Sequence, residues 1–164
     1  TYPLPEAQLD RFMMKLKVDF PDAAEMAAIL DRTTSTDNPE ASSAVDGPTI
    51  MAMRALVRSV PVAPVVQGYA IRLVLATHPE KAEAPEVTRR YVRYGASPRG
   101  AQSLLLVGKI TALLDGRLNV SAEDVRRVAK PCLRHRLILN FEGEAERVDT
   151  DTIIDQVLRD LPEV

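Results

Sequence analysis

Gly95-Ala96-Ser97-Pro98-Arg99-Gly100-Ala101-Gln102-Ser103-Leu104-Leu105-Leu106-Val107-Gly108 is the stretch whose reading decides the fold. Proline fits the first helical position, where its missing N–H has no partner to lose, so a helix opens at Pro98. Ser97 is then the natural N-cap, and Gly116 is the stop. Between them Leu104, Leu105, Leu106, Val107, Ile110, Ala112, Leu113 and Leu114 point almost all round the axis, which places the helix in the middle of a bundle. Arg99 is the exception, a full charge in the first turn. A helix N-terminus favours anions, so the arrangement suggests an arginine aimed at a phosphate. On these residues alone the plainer reading is favoured, an ion pair with a carboxylate such as Asp115 or Glu123.

Working outward, Ser121-Ala122-Glu123-Asp124 is a capping signature, followed by Val125, Val128 and Ala129 on one face. Pro131 kinks or restarts that helix. Residues 137–139 read as a helix end or a short strand. Thr150 caps a last helix with Ile153, Ile154, Val157, Leu158 and Leu161 inward. Upstream, Pro64 starts a helix to about Thr77 that buries Val66, Tyr69, Ala70, Leu73 and Val74. Pro48 starts another, with Ile50, Met53, Val57 and Val60 as its stripe. Residues 81–88 read as a loop and residues 89–94 as a short extended segment. Residues 33–46 are polar, with Pro39, serines and threonines, and read as a loop. Asp22-Ala23-Ala24-Glu25 is a second capping box, opening a helix to about Arg32 with Met26, Ile29 and Leu30 inward. Residues 5–10 make at most two helical turns. Phe12, Met14, Leu16 and Val18 alternate with Met13, Lys15 and Lys17, the period of a strand. No later segment is a strong partner for it, so it is expected to pair with another copy or lie displaced from a sheet.

The chain has 164 residues, 46% hydrophobic and 27% charged, with a formal net charge of −2. That size fits one domain or a small domain plus a fragment. The charge gives no reason to expect nucleic acid as a partner. No apolar run reaches the length of a membrane span. The single cysteine, Cys132, excludes an internal disulfide and fits a reducing cytoplasm. The basic run Arg126, Arg127, Lys130, Arg134, His135 and Arg136 reads as a solvated face. His78, His135 and Cys132 make no metal set, and no metal ligands are assigned. Gly108-Lys109 fails as a phosphate loop, because that loop needs glycine five residues earlier and serine or threonine directly after. Those positions are Ser103 and Ile110.

In this order the motifs carry a family likeness. Tyr2-Pro3-Leu4-Pro5-Glu6-Ala7-Gln8-Leu9-Asp10-Arg11-Phe12, a strand ending near Val18 and then Asp19-Phe20-Pro21-Asp22 resemble the end of the AAA+ core in MoxR-type ATPases. Gly95-Ala96-Ser97-Pro98-Arg99 is similar to the start of that family's sensor 2 helix. Val120-Ser121-Ala122-Glu123-Asp124-Val125 and Pro131-Cys132-Leu133-Arg134-His135-Arg136-Leu137 are similar to its later lid motifs. The resemblance implies ATP and magnesium in the intact protein, a ring of subunits, usually a hexamer, and a chaperone-like role in maturing partners. Such partners are metalloenzymes or proteins with von Willebrand factor A domains. It implies that Arg99 is the sensor 2 arginine, touching nucleotide phosphates, and that Arg11 is the arginine finger, presented to a neighbour's nucleotide. The family's Walker A and Walker B elements and sensor 1 would precede Thr1. The chain by itself is therefore expected to bind no nucleotide or magnesium and to be inactive.

The fold expected is mainly α: a helical AAA+ lid at residues 46–164, preceded at 1–45 by a remnant of the α/β core with one strand and helices. The alternative is a stand-alone helical adaptor that binds partners through a groove. DNA binding is disfavoured, because no helix concentrates basic, base-reading residues on one face.

Overall fold

The computed structural model describes residues 4–36 and 40–162. Tyr2 and Pro3 of the first motif, and residues 37–39 of the expected loop, lie outside the described residues. The chain is mainly helical. In order it runs α1 (Glu6–Leu9), α2 (Ala23–Thr34), α3 (Gly47–Ser59), α4 (Pro64–Leu75), α5 (Glu86–Tyr91), β1 (Val92–Tyr94), α6 (Pro98–Leu114), α7 (Ala122–Leu133), β2 (Ile138–Leu139), α8 (Phe141–Ala145) and α9 (Thr150–Asp160). It divides into two compact units. One comprises residues 1–15 and 55–164, the other residues 16–54, with α3 running across the division.

The first unit is a bundle around α6. Ser97 caps α6 by accepting from the Arg99 N–H, and Pro98 fills the first turn. Gly116, at φ 73°, takes the left-handed conformation that ends the run. The helix buries Gly100, Ser103, Leu104, Val107, Gly108 and Ala112, but Leu114 is mostly exposed, so its core face is broad rather than complete. Helix α7 packs along it. Ser121 and Asp124 close a capping box, and Val125, Val128, Ala129, Cys132 and Leu133 are buried. Pro131 sits within α7, which continues to Leu133. Helix α4 buries all five residues read from its stripe, and α9 buries Ile153, Ile154, Val157 and Leu158. Its cap is Asp149, not Thr150, which occupies the first helical position.

The sequence reading needs two further corrections, and the structure decides one alternative left open. Residues 86–91 are helical, not loop and extended chain, because Pro85 starts a short helix that only becomes β1 at Val92. Residues 138–139 are a strand, pairing antiparallel with β1 through Val92–Leu139 and Tyr94–Ile138. Residues 12–18 form no strand. A strand exists only by pairing, and among the described residues the amides of this segment make two backbone bonds, Phe12 N–H to Leu9 O at 3.1 Å in the turn after α1 and Lys15 N–H to Pro131 O at 2.8 Å onto a helix, neither of them part of a ladder.

The 16–54 unit holds α2, with the Asp22–Glu25 capping box formed as read. Its apolar stripe is not inward: no residue of α2 is buried, and Ile29 and Leu30 are about half exposed.

Candidate functional site

The site is the corner where the start of α6 meets the end of α1 and the turn after α7. The α6 start is fixed from behind. The Ala96 N–H donates to the Thr77 hydroxyl at 2.9 Å, and His78 Nε2 lies 2.9 Å from Ala96 O. Gly95 comes so close to the end of α4 that a Cβ there would stand 2.5 Å from Thr77 O, so no side chain fits.

Arg99 occupies the first turn of α6 as read, with its side chain 55% exposed. Its partner is neither Asp115, which pairs with Arg117 and Arg127, nor Glu123, which lies near Arg126. It is Asp10, the residue that ends α1: Arg99 Nη1 donates to Asp10 Oδ2 at 3.0 Å. The Ser97 hydroxyl donates to both Asp10 oxygens at 2.9 Å. The Asp10 side chain is 18% exposed. Burial pushes its carboxyl up, but the Arg99 and Ser97 bonds and the nearby Arg136 charge outweigh it and hold it below the usual carboxylate range. It is therefore an anion at neutral pH, between two guanidiniums.

The second of these is Arg136, and here the reading of a solvated basic face fails. The Arg136 side chain is 1% exposed. Nε donates to Asp10 Oδ1 at 3.1 Å, and Nη2 donates to Asp10 O at 3.1 Å, Phe12 O at 2.8 Å and Ser103 Oγ at 3.1 Å. Nη1 donates to Cys132 O and, at 3.4 Å, to Met13 O. All three nitrogens, and hence the whole fork, face acceptors. His135 Nε2 also lies 2.9 Å from Phe12 O, and burial pushes that imidazole's pKa down, so the ring is neutral near pH 7. The rest of the run is mostly engaged too. Arg134 pairs with Asp151 at 2.9 Å, and Arg126 donates to the Tyr69 hydroxyl and Leu158 O. A run of charges looks solvated in sequence because the partners, up to 126 residues away, leave no local trace.

Arg11 is the next residue after Asp10 and is exposed. Among the described residues no ion pair or side-chain hydrogen bond holds its guanidinium, in contrast to Arg99. The two arginines singled out in the sequence thus come from one corner, one tethered and one free to reach outward. One recess at this corner, around Asp10 and lined by Glu6, Ala7, Gly95, Ser97 and Arg136 among others, is about 210 Å³. Small-molecule pockets start at roughly 300 Å³, so it is no nucleotide pocket.

A second buried charge stands behind α6. Arg117 donates to both Asp124 oxygens, at 2.7 and 2.5 Å, and holds that carboxyl down to about 2. This pair fixes the α6–α7 turn. Cys132 is buried, and burial pushes its thiol up to about 11, so it is protonated and inert at neutral pH. Among the described residues no group of three or more His, Cys, Asp or Glu side chains could hold a metal ion. No described helix is long and apolar enough to cross a membrane.

Comparison with known proteins shows what the chain is similar to. Residues 85–157 match the AAA lid domain family. The chain is 32% identical to Chaperone MoxR1 of Mycobacterium tuberculosis, over 99% of its own length and 44% of that protein's. It is 33% identical to Protein MoxR of Paracoccus denitrificans, over 90% of its length and 47% of that protein's. A crystal structure from Cytophaga hutchinsonii, described provisionally as an ATPase, superposes with a TM-score of 0.89 at 35% identity, over 98% of this chain and 49% of that one. The chain spans less than half the length of the relatives it matches.

Proposed function

Residues 85–157 form an AAA lid domain, in a chain that matches MoxR proteins over nearly its whole length, and from that premise we propose that it works as the C-terminal part of a MoxR-type AAA+ ATPase. In this reading residues 46–164 are the lid and residues 1–45 the end of the nucleotide-binding core. The assembled protein is a cytoplasmic ring of subunits that couples ATP hydrolysis to chaperone-like remodelling of client proteins.

The chain's fit to ATP and magnesium is partial. It offers exposed guanidiniums for phosphate oxygens, but its described residues offer neither a glycine-lysine cradle nor a cluster of carboxylates for magnesium. ATP and magnesium would be held by the rest of the ATPase, where bound nucleotide supplies the transferred phosphoryl group. What these residues contribute is charge. A guanidinium stays protonated at any working pH and grips phosphate oxygens as a fork. Arg99, carried on the lid, would answer its own subunit's nucleotide as sensor 2. Arg11 would reach a neighbour's nucleotide as the finger, stabilising charge that builds on the transferred phosphoryl group.

The observation that carries the reading is the opposed state of the two arginines in one corner: Arg99 held by Asp10, Arg11 beside it without a partner among the described residues. In the whole ATPase, Arg11→Ala and Arg99→Ala are each expected to cut hydrolysis by about a thousandfold or more. Mixing with subunits that have an intact Arg11 but a disabled phosphate loop should restore only the Arg11→Ala protein. Full activity in either variant, or rescue of both, overturns the assignment.

A further inference from the structure

We infer that Arg136 is a positioning residue for the arginine finger, acting through the backbone on either side of Arg11. The inference rests on the proposed finger role of Arg11. Arg136 touches no part of Arg11's side chain. Its Nη2 instead donates to the carbonyls of Asp10 and Phe12, the residues directly before and after Arg11, and its Nη1 donates to Met13 O. A free arginine at the tip of a four-residue helix would otherwise hang on a loose chain. Here the carbonyls on both flanks are pinned to one buried, planar group.

That group is itself fixed at its other end. The Arg136 fork reaches Ser103 on α6 and Cys132 on α7, two helices of the core. Asp10 balances its charge, which is what lets a guanidinium stay buried. The same carboxylate ties Arg99, so the segment carrying the finger and the helix carrying Arg99 share one anchor. Burial alone would require only that Arg136 be neutralised. The three consecutive-segment carbonyls are what a positioning role needs, and a lysine could not satisfy them, because it offers a point charge rather than a fork.

The test uses the whole ATPase with Arg136→Lys, and Ser103→Ala as a milder variant should the first fail to fold. Arg136→Lys should leave the ATP dissociation constant within about twofold and lower kcat about a hundredfold, the loss that a misplacement of roughly 1 Å brings. Ser103→Ala should lower kcat several-fold in the same pattern. Activity should return when the variant is mixed with subunits that carry an intact Arg11 and Arg136 but a disabled phosphate loop, since the finger acts on a neighbour. Amides 12 and 15 should exchange faster in the variants while those of α6 and α9 do not. Unchanged kcat, loss of ATP binding along with kcat, or no recovery on mixing overturns the inference. Arg11→Ala, run in parallel, separates the two claims. If it is fully active, the finger reading fails. If it is dead while Arg136→Lys is normal, only the positioning role fails.

Discussion

Helices α9 and α2 have 11 and 12 residues, and each begins at an aspartate whose side chain accepts a bond from its first turn. Each carries an apolar stripe at helical spacing. In α9, Ile153, Ile154 and Val157 are sealed at 1% exposure or less. In α2, Ile29 and Leu30 stay about half exposed and nothing is buried. The caps and the stripe specify a helix in both places. What differs is the company: α9 lies against α7 and α5, whereas the 16–54 unit contains one such helix and the beginning of α3. Local sequence writes the helix. Burial needs a second surface, and that is a property of the fold.

The comparison can be broken or sharpened by substitution, read as unfolding free energy of the chain in denaturant. The largest effect is expected from Ile153→Ala in α9, a loss of about 2–5 kcal/mol, because a sealed cavity replaces packed atoms. Next is the capping box of α7. Asp124 has a folded pKa of about 2, against about 4 for an unfolded aspartate. Its folded value is depressed, so its contribution, on the order of 2 kcal/mol, is fully present above pH about 4 and fades as the pH falls toward 2. Asp124→Asn should remove that acid-sensitive part of the stability profile; a profile unchanged in the variant would show that Arg117 does not hold the carboxylate in solution. The matching box of α2 is exposed, so Asp22→Ala should cost about 1 kcal/mol, seen as faster amide exchange confined to α2. Smallest is Ile29→Ala, expected within about 0.5 kcal/mol. A loss from Ile29→Ala as large as that from Ile153→Ala would mean that the α2 stripe is covered in solution, and the contrast would disappear.

Much of the bundle was legible because its signals are local. Ser97-Pro98, Gly116, Ser121–Asp124 and the stripes of α4 and α9 each act within about one turn of the residues that carry them. The elements misread are those set by distant partners. The segment 12–18 has a strand's alternation but no ladder; β1 lies at the end of a segment read as extended and β2 in one read as helix end or strand, because at three and two residues they are too short for a period to show. Helix α8, five residues held by the Asn140 cap, escaped for the same reason. At the site, Arg99 and Arg11 could be singled out from motifs, while Asp10, which organises the corner, sat unremarked beside Arg11. Arg136 lies inside a recognised motif and still reads as surface in sequence, since its burial depends on carbonyls more than 120 residues earlier.

The division of the chain gives the corner one more property. Residues 1–15 leave the bundle unit by sequence and belong to it by contact, for the polypeptide departs after Lys15 and returns at Ala55. Both guanidiniums therefore ride on a single chassis. If, as proposed, Arg99 answers one nucleotide and Arg11 reaches the next, any swing of that body carries both as a fixed linkage, and the timing of two sites would be geared by geometry without a signal passing between them.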